Sequence, residues 1–196
     1  MERGADRERD GGESSLVIRA LVLDVDGVLT DGGLFLDGSG EMKRFSARDG
    51  VAIKLAQAGG MRVLFLSARE SPAARQRAEE LGAEWATGVG KKDVFLETWL
   101  AQADIAWGDV AFVGDDLPDL PPMRRVGWPV APRDAATEVQ DVARYVTRVA
   151  GGAGAVRDAV EWLLDQEGKR AEAMRIFMER PDGFSVGRED RGGPPR

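Results

Sequence analysis

Asp24 and Asp26 stand one residue apart at the end of the apolar run Leu21-Val22-Leu23, with Gly27 behind them. A short, partly β-branched apolar run reads as a buried strand. The inside of a strand has no use for carboxylates, so this pair belongs where the strand ends and the sheet opens. In open α/β sheets that edge is where ligands bind. A second acidic group, Gly114-Asp115-Asp116-Leu117-Pro118-Asp119, follows the apolar run Val110-Ala111-Phe112-Val113, and Ser67-Ala68-Arg69 follows Met61-Arg62-Val63-Leu64-Phe65-Leu66. Carboxylates gathered at one edge can hold a hard cation, attack as nucleophiles or exchange protons. The plainer alternative is Asp side chains capping loop amides. It accounts for one such strand end but not for every long apolar run ending this way.

Composition narrows the chemistry. The 196 residues include no histidine and no cysteine, which removes imidazole bases, His or Cys metal ligands, thiol nucleophiles and disulfides together. Catalysis must rest on carboxylates, Lys, Arg, hydroxyls or a metal. With 34 acidic and 27 basic residues, net −7, the chain lacks the basic balance of a nucleic-acid binder. No apolar run reaches membrane-spanning length and the first residues lack a signal-peptide core, so a soluble, cytoplasmic protein with no membrane partner is expected. The length suits one domain with a core of its own. Residues 1–15 and 181–196 are polar and rich in Gly, Pro and charge, and are expected to be a disordered lead-in and a flexible tail around a domain of residues 16–180.

The elements that must position these groups follow in order. After the first strand, residues 33–46 show two short β-prone runs around a Gly-rich turn, a hairpin whose Leu34, Phe35, Leu36 and Phe45 are too many for free solvation. It is expected to be a lid or an oligomer contact. A helix over about 50–58 is expected, with Asp49 as its N-cap and Gly59-Gly60 as its stop. Ser71-Pro72 opens another, ending at Gly82. A short strand at 85–87 precedes a helix opened by Gly88-Val89-Gly90-Lys91-Lys92 and running to about 103. A short helix to 126, a strand at 128–131 and a brief helix capped by Asp134 come next. Gly151-Gly152-Ala153-Gly154 then leads into one long helix over 155–179, with Val156, Val160, Leu163 and Leu164 as its buried stripe. Strands alternating with helices predict an α/β fold: a doubly wound parallel sheet with helices on both faces. All three polar strand ends then share one edge.

Taken together, the ordered motifs resemble the haloacid dehalogenase superfamily of phosphatases. Asp24-Val25-Asp26-Gly27-Val28 resembles its first motif, Ser67 its second, Lys92 its third, with Lys91 as the weaker candidate, and Gly114 to Asp119 its fourth. More narrowly, Asp-Val-Asp-Gly-Val-Leu-Thr-Asp-Gly from Asp24, the hairpin, Arg48-Asp49-Gly50, Tyr145-Val146-Thr147-Arg148 and the glycines from Gly151 are similar to the 3-deoxy-D-manno-octulosonate 8-phosphate phosphatase family. The resemblance covers about residues 17–166. Where that family often has Asn, Gly, Arg and Gly, this chain has Ser46, Ala52, Lys54 and Ala68.

The resemblance implies no large cap domain, a homotetramer whose hairpins meet centrally, and a Mg²⁺-dependent phosphatase acting on a sugar-acid phosphate. Asp24 would be the nucleophile, forming an aspartyl-phosphate, and Asp26 the general acid and base. Asp24, Asp115 and the Asp26 carbonyl would hold Mg²⁺, with Asp116 and Asp119 behind them. Ser67 and Lys92 would hold the phosphoryl oxygens. Ser46, Ala47, Arg48, Asp49, Gly50, Lys54, Arg69 and Arg77, with Asp26, would contact substrate. Two other readings stand beside this one: a phosphatase for a nine-carbon sugar-acid phosphate, and a non-catalytic tetramerisation module like those fused to sugar-acid cytidylyltransferases.

Overall fold

The structure, a computed structural model, describes residues 17–36 and 41–179. The expected lead-in, the tail and the hairpin turn at 37–40 lie outside these residues. β1 (Ala20–Leu23) is followed by a wide turn, Val25–Leu29, and a hairpin of β2 (Phe35–Leu36) and β3 (Glu41–Met42). Then come α1 (Ala47–Ala58), β4 (Arg62–Leu66), α2 (Pro72–Leu81), β5 (Glu84–Ala86), α3 (Lys92–Ala103) and β6 (Val110–Val113). α4 (Leu120–Met123), β7 (Trp128–Ala131), α5 (Thr137–Gln140), β8 (Tyr145–Val146), α6 (Ala155–Gln166) and α7 (Arg170–Glu179) complete the described chain.

Six strands form one parallel sheet in the order β5-β4-β1-β6-β7-β8, and β2-β3 stand apart as an antiparallel pair. Ala20 pairs with Arg62 on one side and Val110 on the other, so β1 lies between β4 and β6. The chain builds outward from β1 through β4 and β5, then returns to the other side of β1 for β6. That reversal opens a crevice at the carboxyl ends of β1 and β6.

Side chains alternate across the strands. Leu21, Leu23, Val63, Phe65, Ala111 and Val113 pack with residues of α1, α2 and α6 on one face. Ala20, Val22, Leu64, Leu66, Val110 and Phe112 pack with residues of α3, α4 and α5 on the other. The doubly wound parallel sheet predicted from the alternation of elements is therefore the one observed.

Four local expectations are corrected. α1 starts at Ala47, three residues before Gly50, and its N-cap is Ser46, whose side chain accepts from the Asp49 amide at 3.4 Å. Asp49 is drawn instead to α6, where its Oδ1 accepts from the Arg157 amide at 2.8 Å. Asp134 does not cap α5, because its Oδ1 accepts from the Gly151 amide at 2.9 Å. The single helix over 155–179 is two: Gly168 takes a φ of +65°, and the Lys169 amide closes onto the Leu164 carbonyl at 2.9 Å. α7 then packs back against α1 and α6. Finally, Phe45 is no part of an exposed hairpin face, since it packs against the main core, whereas Leu34, Phe35 and Met42 are exposed in the single chain.

The Gly-rich loop before α6 lies flat on the wide turn after β1. The Gly152 amide donates to the Val28 carbonyl at 3.0 Å, and a Cβ on Gly151 would lie 1.8 Å from the Gly27 carbonyl oxygen. A polar knot holds that loop's entry. Asp158 Oδ2 on α6 accepts from the Tyr145 hydroxyl at 2.9 Å and from the Arg148 amide at 2.7 Å, and Oδ1 accepts from the Arg148 guanidinium. Burial pushes the Asp158 pKa up, but the bonds from Arg148 and Tyr145 outweigh it and lower the carboxyl below its ordinary value. A depressed folded-state pKa contributes stability that is present above the unfolded value, about 3.9, and is lost as pH falls through the folded one. Asp158→Asn should therefore lower Tm at neutral pH. The gap to the wild type should narrow as pH drops below about 3.9, read by thermal melts across pH.

Candidate active site

The carboxyl ends of β1, β4 and β6 meet in a cleft of about 360 Å³ lined by Asp24, Asp26, Ser67, Arg69, Lys92 and Asp115, with Gly32, Ala68, Asp116, Pro118 and Asp119. Asp24 extends the β1–β6 ladder, its amide donating to the Val113 carbonyl at 3.0 Å. The wide turn then swings Asp26 round to the same side. In it Gly27 has a φ of +91°, and a Cβ there would lie 2.0 Å from Asp115 Oδ2. Only glycine lets the turn and the Asp115 carboxylate come this close.

Lys92, in the first turn of α3, is buried and donates to Asp24 Oδ1 at 2.5 Å and to Asp119 Oδ1 at 2.7 Å. Lys91 beside it is exposed. Asp119 Oδ2 accepts from the Asp115 amide at 3.0 Å and the Asp116 amide at 3.5 Å, fixing the loop after β6. Ser67 is buried, and its Oγ accepts from the Arg69 amide at 3.1 Å.

Carboxylate oxygens of Asp24, Asp115 and Asp119 lie within 4.8 Å of one another. Burial, then the charge of Asp119, pushes the Asp24 pKa up to about 6, with Lys92 working against both. Burial, Asp24 and Asp119 push Asp115 up to about 8. Burial opposes the charge on Lys92, but Asp24 and Asp119 outweigh it and raise its pKa. One ammonium does not balance three carboxylates. The surplus of hard oxygen donors fits a divalent cation of the Mg²⁺ type.

No family model matches the chain. The 3-deoxy-D-manno-octulosonate 8-phosphate phosphatase KdsC of Escherichia coli (strain K12) is 41% identical over 158 residues, covering 80% of this chain and 84% of that protein. The chain belongs to the 3-deoxy-D-manno-octulosonate 8-phosphate phosphatase family. Its solved neighbours include the Moraxella catarrhalis phosphatase in complex with magnesium ion, phosphate ion and a KDO molecule. That structure matches with a TM-score of 0.79 at 29% identity, over 83% of this chain and 95% of that one. The cobalt-bound phosphatase of Haemophilus influenzae matches with a TM-score of 0.76 at 34% identity, over 85% of this chain and 96% of that one.

Within this 3-deoxy-D-manno-octulosonate 8-phosphate phosphatase fold, the remaining expected contacts do not all reach the cleft. Ala47 and Arg77 line a neighbouring depression with Lys43, Phe45, Ala73, Gln76 and Glu80. Arg77 pairs with Glu80 at 2.7 Å and lies over Gly50, where a Cβ would be 2.5 Å from its Nη2. Ser46 is the cap of α1, and Arg48 is exposed on its first turn. Lys54 Nζ comes within 3.5 Å of where a Cβ on Gly82 would stand, at the far end of α2. Asp49 is buried and faces α6.

Two residues went unread in the sequence. Lys43, after β3, has a fully buried side chain and its ammonium bonds Asp26 Oδ1. Glu41 accepts from the Ser71 hydroxyl at 2.8 Å and from Arg69 Nη2 at 3.3 Å. Glu-Met-Lys looks like an ordinary exposed edge strand, and only the docking of the hairpin turns both charges inward.

Asp49 supplies the α6 N-terminus with a cap that Gly154 cannot provide from its own side chain. Asp49→Ala should lower stability by about 1 kcal/mol, the usual cost of a lost cap, with KM held. Thermal melts and steady-state kinetics separate the two: a raised KM at unchanged Tm would make Asp49 a substrate contact instead.

Proposed function

We propose that this chain hydrolyses 3-deoxy-D-manno-octulosonate 8-phosphate with Mg²⁺, through a covalent phosphate ester of Asp24. The observation that carries this is the meeting of Asp24, Asp26, Ser67, Lys92 and Asp115 in one cleft, in a chain with neither His nor Cys. Both Asp119 oxygens already have partners, Lys92 on one and two amides on the other. That favours Asp24 and Asp115, with the Asp26 carbonyl, as the residues that would hold the cation. A cation held there would offset the repulsion between carboxylate and phosphate.

The chain's own groups then act in two steps. An Asp24 carboxylate oxygen attacks phosphorus, the bond from phosphorus to the sugar oxygen breaks, and the departing oxygen takes a proton from Asp26. Water next attacks the same phosphorus and gives its proton to Asp26, the Asp24–phosphate bond breaks, and inorganic phosphate leaves. Lys92 and Ser67 hold the phosphoryl oxygens as charge shifts onto them. Arg69, half-exposed at the cleft, is the group best placed for the sugar's carboxylate.

The deciding measurement is kcat/KM for 3-deoxy-D-manno-octulosonate 8-phosphate, a nine-carbon sugar-acid phosphate and glucose 6-phosphate. The first should be hydrolysed best, the neutral sugar far worse, and both EDTA and Asp24→Asn should abolish turnover. Preference for the nine-carbon acid would move the substrate to that class. Equal rates on all three would leave a general phosphatase. A non-catalytic module has no observation in its favour, because each residue of the two-step scheme is present.

The same reading makes the protein a homotetramer. Its support is the exposed apolar set on the hairpin, with Phe35 at 62% and Met42 at 69% exposure in the single chain. No helix among the described residues is long and apolar enough to cross a membrane. On this reading another copy of the chain covers that face. Phe35→Asp should dissociate the assembly in light scattering, and a wild type that is already monomeric would remove this part of the proposal.

A further inference from the structure

We propose that Lys43 is a positioning residue for proton transfer, holding one oxygen of Asp26 so that the other faces the leaving group. The proposal rests on the reading above in which Asp26 serves the departing sugar oxygen. It makes the hairpin part of the reaction machinery rather than only a cover or an assembly contact.

The two oxygens of Asp26 have different surroundings. Oδ1 accepts from the Lys43 ammonium, and Oδ2 is buried with no hydrogen-bond partner. Arg69 Nε lies 3.8 Å from Oδ2, beyond hydrogen-bond reach. An unpartnered carboxylate oxygen at a cleft wall is costly unless a ligand meets it. Here the cleft is the one that takes the phosphate ester.

Lys43 is built for this hold. Lysine is rarely buried, yet this side chain has no exposure. Its ammonium is shared between Asp26 and Glu41, whose Oε1 lies 3.4 Å away. Glu41 is itself fastened by Ser71 and Arg69 to the segment after β4. β3 is thus pinned at two points, and Lys43 has little freedom to release Asp26. Without Lys43 the carboxylate could rotate and close the 3.8 Å gap to Arg69, pairing the oxygen that must stay available. Loss of alignment of this kind slows only the step that uses the aligned group.

The test compares leaving groups. A sugar alkoxide needs a proton as it departs, whereas 4-nitrophenolate leaves as a stable anion. kcat/KM reports the steps from free enzyme up to formation of the covalent ester, where that proton is delivered. In Lys43→Met, the ratio of kcat/KM for 3-deoxy-D-manno-octulosonate 8-phosphate to that for 4-nitrophenyl phosphate should fall by about tenfold or more, within the usual range of acid catalysis. Lys43→Gln, which keeps a neutral donor, should lose less. In an Asp26→Asn background, Lys43→Met should leave the ratio unchanged, because a residue acting through Asp26 has nothing left to position. An unchanged ratio, loss of both substrates together in the Met and Gln variants, or the same fall in the Asp26→Asn background would each overturn the proposal. Failure of the functional reading looks different: a wild type that cleaves 4-nitrophenyl phosphate but not the sugar-acid phosphate.

Discussion

The buried ammonium of Lys92, bonded to Asp24 and Asp119 at once, is the constraint on which the site depends. A lone charge in that position would be prohibitive, and a lone carboxylate hardly less so. Set together they permit three acidic groups to crowd the edge of a sheet. Lys92 reaches them from α3, Asp24 from β1 and Asp119 from the loop after β6. The cluster therefore ties three separate stretches of chain to one point. It also remains short of positive charge, with one ammonium among three carboxylates, and burial first, then repulsion between the carboxylates, pushes the pKa values of Asp24 and Asp115 up. Incomplete neutralisation is what leaves the site ready for a cation.

Close backbone approach is the second condition. The wide turn after β1 carries Asp26, and it is boxed from two sides. Asp115 crowds Gly27 from the cleft, and the loop at Gly151 lies against the Gly27 carbonyl from behind. Neither contact tolerates a side chain at those positions. The Gly-rich loop is held in its turn by Asp134, and its following helix by Asp49 and Asp158. Acidic residues outside the cleft thus act as fasteners for the turn that carries Asp26.

Burial divides the cationic side chains into two sorts. Lys92 and Lys43 are enclosed and fixed on carboxylates, whereas Arg69 and Arg48 keep contact with solvent. The two lysines hold carboxylate oxygens in place, whereas Arg69, though bonded to Glu41, and Arg48 also face solvent.

Much of this architecture was determined by sequence alone, because its signals are local. Short unbroken apolar runs, helices between them and turn chemistry at Ser71-Pro72 and Gly82 specify a parallel α/β sheet. Once the strands are parallel, Asp24, Ser67 and Asp115 must share an edge, whatever the details of packing. Other features were decided only in three dimensions. Ser46 and Asp49 are equally good caps by type, and the choice between them was made by Arg157, 108 residues away. The apolar pattern runs through Gly168, and where α7 turns after that break, back against α1 and α6, was settled by packing. Lys43 and Glu41 look like solvated edge charges until the hairpin folds back over Asp26. Charge pairing across such distances leaves no periodicity in the chain, because long, flexible side chains can reach inward or outward from the same backbone. Only the neighbours supplied by the fold select between the two.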